Sequence, residues 1–220
     1  MKVYFADLGL VPYGEALRLQ RRLQDDVLEK GGVEGYFLLL EHPPVITVGL
    51  RGNEEHLLNP ETIPVFEIER GGEVTLHAPG QLVGYLIFPL KSLQGGLPSL
   101  VKGIEEMMLK VLSHYHIVGE RVHHHPGIWV KGYKIGNIGI SIKRWVTMHG
   151  FSFNAGIDLE LFKFIVPCGM TERKVTSLTR ELNRPFLKED MQEVKGLFIA
   201  GFEEVFGLKL VESEPLVVKF

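Results

Sequence analysis

The stretch Ile165 to Met170, IVPCGM, holds the single cysteine of a 220-residue chain, Cys168, between Pro167 and Gly169. A free cysteine can be a small buried hydrophobe. The flanks argue for a different use. Pro167 sets its own φ and removes a backbone donor, while Gly169 permits a left-handed or closely approached backbone, so the sulfur is expected on a sharp corner, where nucleophiles are presented. The thiolate is the reactive form, so a nucleophilic role also needs a base or cation supplied from elsewhere in the chain.

Two other stretches could supply it. In Tyr133 to Ile140, YKIGNIGI, Lys134 interrupts an apolar run beside Gly136 and Gly139, as a lysine does when it snorkels from a strand end or is buried for a purpose. In Arg70 to Tyr85, RGGEVTLHAPGQLVGY, four glycines interleave with Arg70, Thr75, His77 and Gln81. That pattern lets backbone approach a ligand closely while polar groups converge on it, and it equally fits a hairpin with a glycine-rich turn. It is neither a Walker A loop nor a dinucleotide-binding G-x-G-x-x-G at a strand-to-helix junction, so it gives nucleotide binding no support. The run His123-His124-His125 invites a metal reading. Adjacent side chains in a loop point different ways, no cysteine or carboxylate completes a set at zinc spacing, and Pro126 follows, so no metal is expected.

With 24 Lys and Arg against 27 Asp and Glu, and a net charge of −3, the chain has no nucleic-acid or polybasic membrane signature. One cysteine excludes an internal disulfide, and the polar start MKVYFADLGL is no signal sequence; a cytoplasmic location is expected. No apolar run approaches the ~18 residues of a membrane helix. Hydrophobic residues at 45% suffice for a full core, and residues 1–220 are read as one domain without repeats or linkers.

The elements that must position these groups follow from periodicity. Lys2 to Leu8 alternates as a strand. Pro12 opens a helix whose Ala16, Leu19, Leu23 and Val27 share a face, and Gly31-Gly32 stops it. Tyr36 to Leu40 is continuously apolar, as in a strand buried on both faces, and Val45 to Val48 resumes after Pro43-Pro44. Arg51 to Pro64 reads as a loop with a helical turn and Val65 to Glu69 as a strand. Leu100, Ile104, Met107, Met108, Val111 and Leu112 mark a helix from Ser99 to Tyr115. Gly127 to Trp129, Lys134 to Lys143 and Thr147 to Asn154 read as successive strands, and Asp158 to Phe164 as a helical turn. A last amphipathic helix carries Met191, Val194, Phe198 and Phe202, and Leu216 to Val218 reads as a closing strand.

Four separated segments, EHPPVITVG, RGGEVTLHAPGQLVGY, KIGNIGISIKRWVTMHGFSFN and IVPCGM, in this order, resemble the lipoyl(octanoyl) transferases, the octanoyl-[acyl-carrier-protein]:protein N-octanoyltransferases of lipoate biosynthesis. The likeness spans about residues 35 to 180. It implies an α/β fold with a mixed sheet, a smaller sheet and outer helices, shared with the biotin and lipoate protein ligases. It implies Cys168 as the acyl-thioester nucleophile and Lys134 as its partner. It implies substrate contacts at Arg70, Gly71, Gly72, Glu73, Val74, Thr75, Leu76 and His77, at Asn137, Ile138 and Gly139, and at Gly150, Phe151 and Ser152, with His42 and His149 lining the pocket. It implies no cofactor, an octanoyl acyl carrier protein as donor, and as acceptors lipoyl domains of 2-oxoacid dehydrogenase complexes and the glycine cleavage H protein. The chain departs from the family pattern at Ala78, where HGPGQ is usual, at Leu76, where an aromatic is customary, and at Gly136-Asn137; these bear on pocket shape.

The chemistry so implied suits these residue types. A soft nucleophile takes the acyl group from one thioester into another at little free-energy cost and without ATP. The acceptor lysine, with a pKa of about 10.4, must lose a proton before it attacks. Lys134 serves as base if its apolar neighbours Ile135 and Ile138 lower its own pKa. Burying six or seven acyl carbons at ~0.8 kcal/mol each is worth roughly 5 kcal/mol, which favours an enclosed tunnel. An acidic carrier needs a basic landing, for which Lys143-Arg144 and Arg173-Lys174 are the clusters nearest the chemistry. Three other readings remain: an ATP-dependent lipoate or biotin protein ligase on the same fold, a Cys-His hydrolase using His77 or His149, and a non-catalytic carrier-binding module.

Overall fold

The computed structural model describes residues 1–32, 34–58, 62–166 and 174–212. Cys168, Arg173 and the expected strand Leu216 to Val218 lie outside the described residues.

The chain opens with β1 (Lys2–Leu10), α1 (Tyr13–Glu29) and β2 (Glu34–Glu41), with β2 parallel to β1. Every residue from Gly35 to Leu40 is buried because both faces of β2 are covered. Tyr36, Leu38 and Leu40 meet the Ala16, Leu19, Leu23 and Val27 face of α1. Phe37 and Leu39 point the other way, into the larger core.

Two sheets form among the described residues. The smaller has the order β4 (Val65–Glu67), β3 (Val45–Val48), β5 (Val74–His77). The larger runs β11 (Leu210–Glu212), β1, β2, β6 (Gln81–Ile87), β10 (Val146–Asn154), β9 (Tyr133–Lys143), β8 (His125–Val130), β7 (Glu120–Val122), parallel over its first three strands and antiparallel thereafter. The far face of the large sheet is covered by α2 (Gly96–His114) and α4 (Lys188–Phe206). Phe202 stacks on Phe37 and Phe198 on Phe151, each at 4.9 Å between ring centres. Such aromatic pairs add about 1 kcal/mol beyond their burial.

The glycine-rich segment is no hairpin. β5 pairs with β3 in the small sheet, and β6 lies between β2 and β10 in the large one, so Ala78 to Gly80 carries the chain from one sheet to the other. Gly80 makes this step possible: its φ is +86°, its N–H donates to Glu41 Oε2 at 2.7 Å, and its carbonyl accepts from the Gly156 N–H at 2.7 Å. α3 (Leu178–Leu182) and β11 were not expected from periodicity, both being too short to show one.

Candidate active site

Lys134 owes its direction to an irregularity in β9. Ile128 pairs with Gly136 and Trp129 with Lys134, which leaves Ile135 as one extra residue on β9. Such a bulge resets the alternation, bringing Lys134 into phase with Asn137 and Gly139 rather than with Ile138. Lys134 is 7% exposed, its ammonium 5.6 Å from the centre of the Trp129 ring. Its backbone is tied to the segment downstream of Cys168, through N–H donation to the Lys174 carbonyl and acceptance from the Thr176 N–H.

Opposite β9, the loop Arg70 to Glu73 is laid against the sheet by the Gly71 N–H, which donates to the Ile140 carbonyl at 3.0 Å. Arg70 is buried and its guanidinium donates to Thr47 Oγ1, to the Thr47 carbonyl and to the Gly71 carbonyl, locking the loop onto β3. Gly139 lies beneath. A Cβ there would come within 3.0 Å of Arg70 Cδ and of the Gly71 carbonyl, so a side chain would lift the loop.

Three spaces with lining residues in common run along this seam. An outer cleft of about 300 Å³ is lined by Arg51, Arg70, Gly71, Gly72, Glu73, His124, His125, Lys134, Asn137, Ile138 and Gly139, among others. An inner cavity with room for about one water is lined by Tyr13, Arg70, Thr75, His77, Val83, Tyr85, Asn137, His149, Gly150, Phe151 and Ser152. A side pocket adjoins Lys134, Asn137, Ser152, Gln81 and Asn154. Asn137 borders all three. Val74 and Leu76 do not line them: they are buried in the core beneath the small sheet with Ile46, Ile157 and Phe162.

The inner cavity is walled by neutral imidazoles. His42 Nδ1 donates to the Val11 carbonyl at 2.6 Å and its Nε2 accepts from the Tyr85 hydroxyl at 2.7 Å. His77 Nδ1 donates to Gln81 Oε1 at 2.6 Å, and Gln81 Nε2 donates in turn to Asn154 Oδ1. Burial pushes the pKa of His42 down to about 4, of His77 to about 3 and of His149 to about 4, with Val11 opposing at His42, the His42 charge adding at His77, and Glu69 opposing at His149. Tyr13 packs against both His42 and His77, and burial raises its pKa.

His149 reaches the cavity through an unusual backbone. Strict alternation along β10 would send it with Phe151 and Phe153 into the α2–α4 core. Its φ is instead +63°, and its ring meets Tyr85 edge-on at 6.3 Å on the opposite face. His149 Nε2 and the Tyr13 hydroxyl are buried without a hydrogen-bond partner among the described residues.

The structure therefore brings Lys134, Arg70 to Glu73, Thr75, His77, Asn137 to Gly139, His149 and Gly150 to Ser152 to one seam, with His42 behind it. Sequence reasoning missed Tyr13, whose only signal was its place at the helix start after Pro12, and Asn154, which joins Gln81 to the Thr176 carbonyl. Among the described residues no group of His, Cys, Asp and Glu is arranged to hold a metal ion. Lys143 is ion-paired with Asp25 at 3.0 Å, and Arg144 occupies the β9–β10 turn. No helix among the described residues is long and apolar enough to cross a membrane.

The single α/β domain with a large mixed sheet and a smaller one has the fold of the biotin and lipoate protein ligase catalytic domains. Lipoate-protein ligase A bound with ATP superposes with a TM-score of 0.72 over 96% of this chain and 87% of that one, at 13% identity. A putative lipoate protein ligase of T. acidophilum with bound lipoic acid gives 0.74 over 97% and 89%, at 14% identity. Residues 12–203 match the lipoyl protein ligase A/B catalytic domain family. Within it, the octanoyltransferase of Nostoc punctiforme is 40% identical over 94% of this chain and 90% of its own length, and that of Caldicellulosiruptor bescii 42% identical over 91% and 96%. The chain belongs to the octanoyltransferase family, and its enzymatic class is acyl transfer.

Proposed function

We propose that this enzyme carries an octanoyl or lipoyl group from an acyl carrier protein to a lysine of lipoyl domains, including those of 2-oxoacid dehydrogenase complexes and the glycine cleavage H protein, in the cytoplasm, through a thioester on Cys168. The Cys168 thiolate attacks the donor's carbonyl carbon, the bond from that carbon to the carrier's sulfur breaks so that the carrier leaves as its thiolate, and the acyl group rests on the enzyme. The acceptor ε-amine then attacks that thioester, an amide forms, and the Cys168 thiolate is regenerated. The proton lost by the amine passes to Lys134.

The observation that carries this reading is the clamp on Lys134: its backbone N–H and carbonyl are both bonded to Lys174 and Thr176, six and eight residues beyond Cys168. Upstream, the Val166 N–H donates to the His56 carbonyl at 2.8 Å, so the described segments flanking Cys168 are held at both ends, one at His56 and the other at the start of β9. The loop Arg70 to Glu73 and Asn137 to Gly139 bound the reacting carbonyl, Gly150 to Ser152 form the floor, Thr75 and His77 line the inner wall, and the acyl tail runs along Val83 and Phe151. Residues 1–220 act as one domain in this reading. Incubation with octanoyl carrier protein should add one octanoyl mass to the wild type and none to Cys168→Ala, with no requirement for ATP. An adduct retained by the variant overturns the assignment of Cys168, and an ATP requirement would favour the ligase reading.

A further inference from the structure

The mouth of the outer cleft carries a group of cationic and imidazole side chains that the transfer chemistry does not use. Arg51 stands on the wall that follows β3, His124 stands on the β7–β8 turn and His125 is the first residue of β8. All three are exposed, and none of their side chains has a hydrogen-bond or ion-pair partner among the described residues. Deeper in, Arg70 and Lys134 add two more cationic groups, against the single carboxylate of Glu73. His124 is held at a φ of +65°, a conformation costly for a residue with a side chain, so the turn maintains it against its local preference.

We infer that Arg51, His124 and His125 form a binding site for the phosphodiester of the donor's prosthetic arm, so that the outer cleft holds the arm and delivers its thioester to Lys134 and Asn137. This rests on the transfer reading above and extends it to how the donor is recognised.

Spacing supports the inference. Trp129 pairs with Lys134, and His125 precedes Trp129 by four residues of β8. Four residues of strand plus one strand separation put His125 and Lys134 about 14 Å apart. A pantetheine arm has about thirteen bonds between its sulfur and its phosphorus and extends to roughly 16 Å at just over 1 Å of advance per bond. With the thioester beside Lys134 and Asn137, the phosphate therefore reaches the histidine turn. A guanidinium on one wall and imidazole N–H groups on the other suit an anion lying between them. The same stretch of cleft offers an acceptor lysine no counter-charge except Glu73.

The experiment compares S-octanoyl-4′-phosphopantetheine with S-octanoyl-pantetheine as carrier-free donors to a lipoyl domain. The readout is the ratio of their kcat/KM values, which cancels any general loss of activity. The wild type should favour the phosphorylated donor by about tenfold or more, as befits hydrogen bonds to a charged group. In the double variant Arg51→Ala, His124→Ala the ratio should fall to near unity, and His125→Ala should lower it partway. Equal use of the two donors by the wild type, or a ratio that survives in the double variant, overturns the inference while leaving octanoyl transfer in place. A change in the KM of the lipoyl domain with an unchanged donor ratio would assign the residues to the acceptor and overturn it too. Absence of transfer from either donor would overturn the transfer reading itself, and this inference with it.

Discussion

The Lys134 N–H donates to the Lys174 carbonyl at 2.8 Å, and the Lys134 carbonyl accepts from the Thr176 N–H at 3.0 Å, so main-chain bonds hold the start of β9 to the segment beyond Cys168. Replacing the Lys134 side chain therefore leaves that clamp intact and isolates its chemistry. Lys134→Ala should slow amide formation by about two to four orders of magnitude in single turnovers of octanoyl-enzyme with a lipoyl domain. Lys134→Arg should fail similarly, because a guanidinium does not take up the role of a neutral amine. Full activity in the arginine variant would rule out Lys134 as the base.

Gly139 faces Arg70 and the Gly71 carbonyl at a distance that leaves no room for a methyl group. Gly139→Ala should displace the Arg70 loop, lowering kcat/KM at least tenfold for a stability cost of about 1–3 kcal/mol. Paired kinetics and denaturant melts check this. A variant with unaltered kcat/KM would show that the loop can move without consequence.

The buried histidines make stability depend on pH. Each has a folded pKa, about 4 for His42 and His149 and about 3 for His77, below the ordinary value of about 6.5, so the unfolded chain binds more protons between those limits. The contribution is fully present above pH 6.5 and is lost as pH falls toward 4 and then 3. Urea melts between pH 7 and 5 should show stability decreasing on acidification, with a smaller slope in His77→Gln. A slope of the opposite sign would mean that the imidazoles are charged in the folded protein.

The inner cavity is lined by Tyr13 and His149, whose hydroxyl and Nε2 are buried without a hydrogen-bond partner among the described residues. An acyl chain that reaches this end of the seam meets polar groups in place of apolar surface, so they oppose its lengthening. His149→Ala should raise the decanoyl-to-octanoyl ratio of kcat/KM by roughly tenfold, the worth of two further buried methylenes at ~0.8 kcal/mol each. Tyr13→Phe should raise it less. Competition between donors of six to twelve carbons measures the effect, and an unshifted preference would place the end of the tunnel elsewhere.

Much of this arrangement was legible beforehand. The helices α1, α2 and α4 followed from apolar residues recurring every three or four positions, since a helix packed on a sheet must place its large side chains on one face. β2 was legible from its unbroken apolar run, which is what burial on two faces requires. Lys134 stood out because an ionisable side chain inside an apolar strand is costly without a purpose. The placement of Val74 and Leu76 was misread: contiguous residues of a motif were all assigned to the substrate, whereas alternation along β5 turns these two into the core and only Thr75 and His77 toward the cavity.

By itself, then, the sequence determined the chemistry available: one thiol, one lysine in an apolar strand, a glycine-bordered arginine loop and the family to which their order belongs. Tertiary structure alone decided where those groups point. The Ile135 bulge, the left-handed His149 and the passage of Ala78 to Gly80 between two sheets each depend on strands far apart in the chain pairing in a particular register. A residue's type reports its own chemistry and local preference. The face on which it emerges is set by partners that only folding brings together.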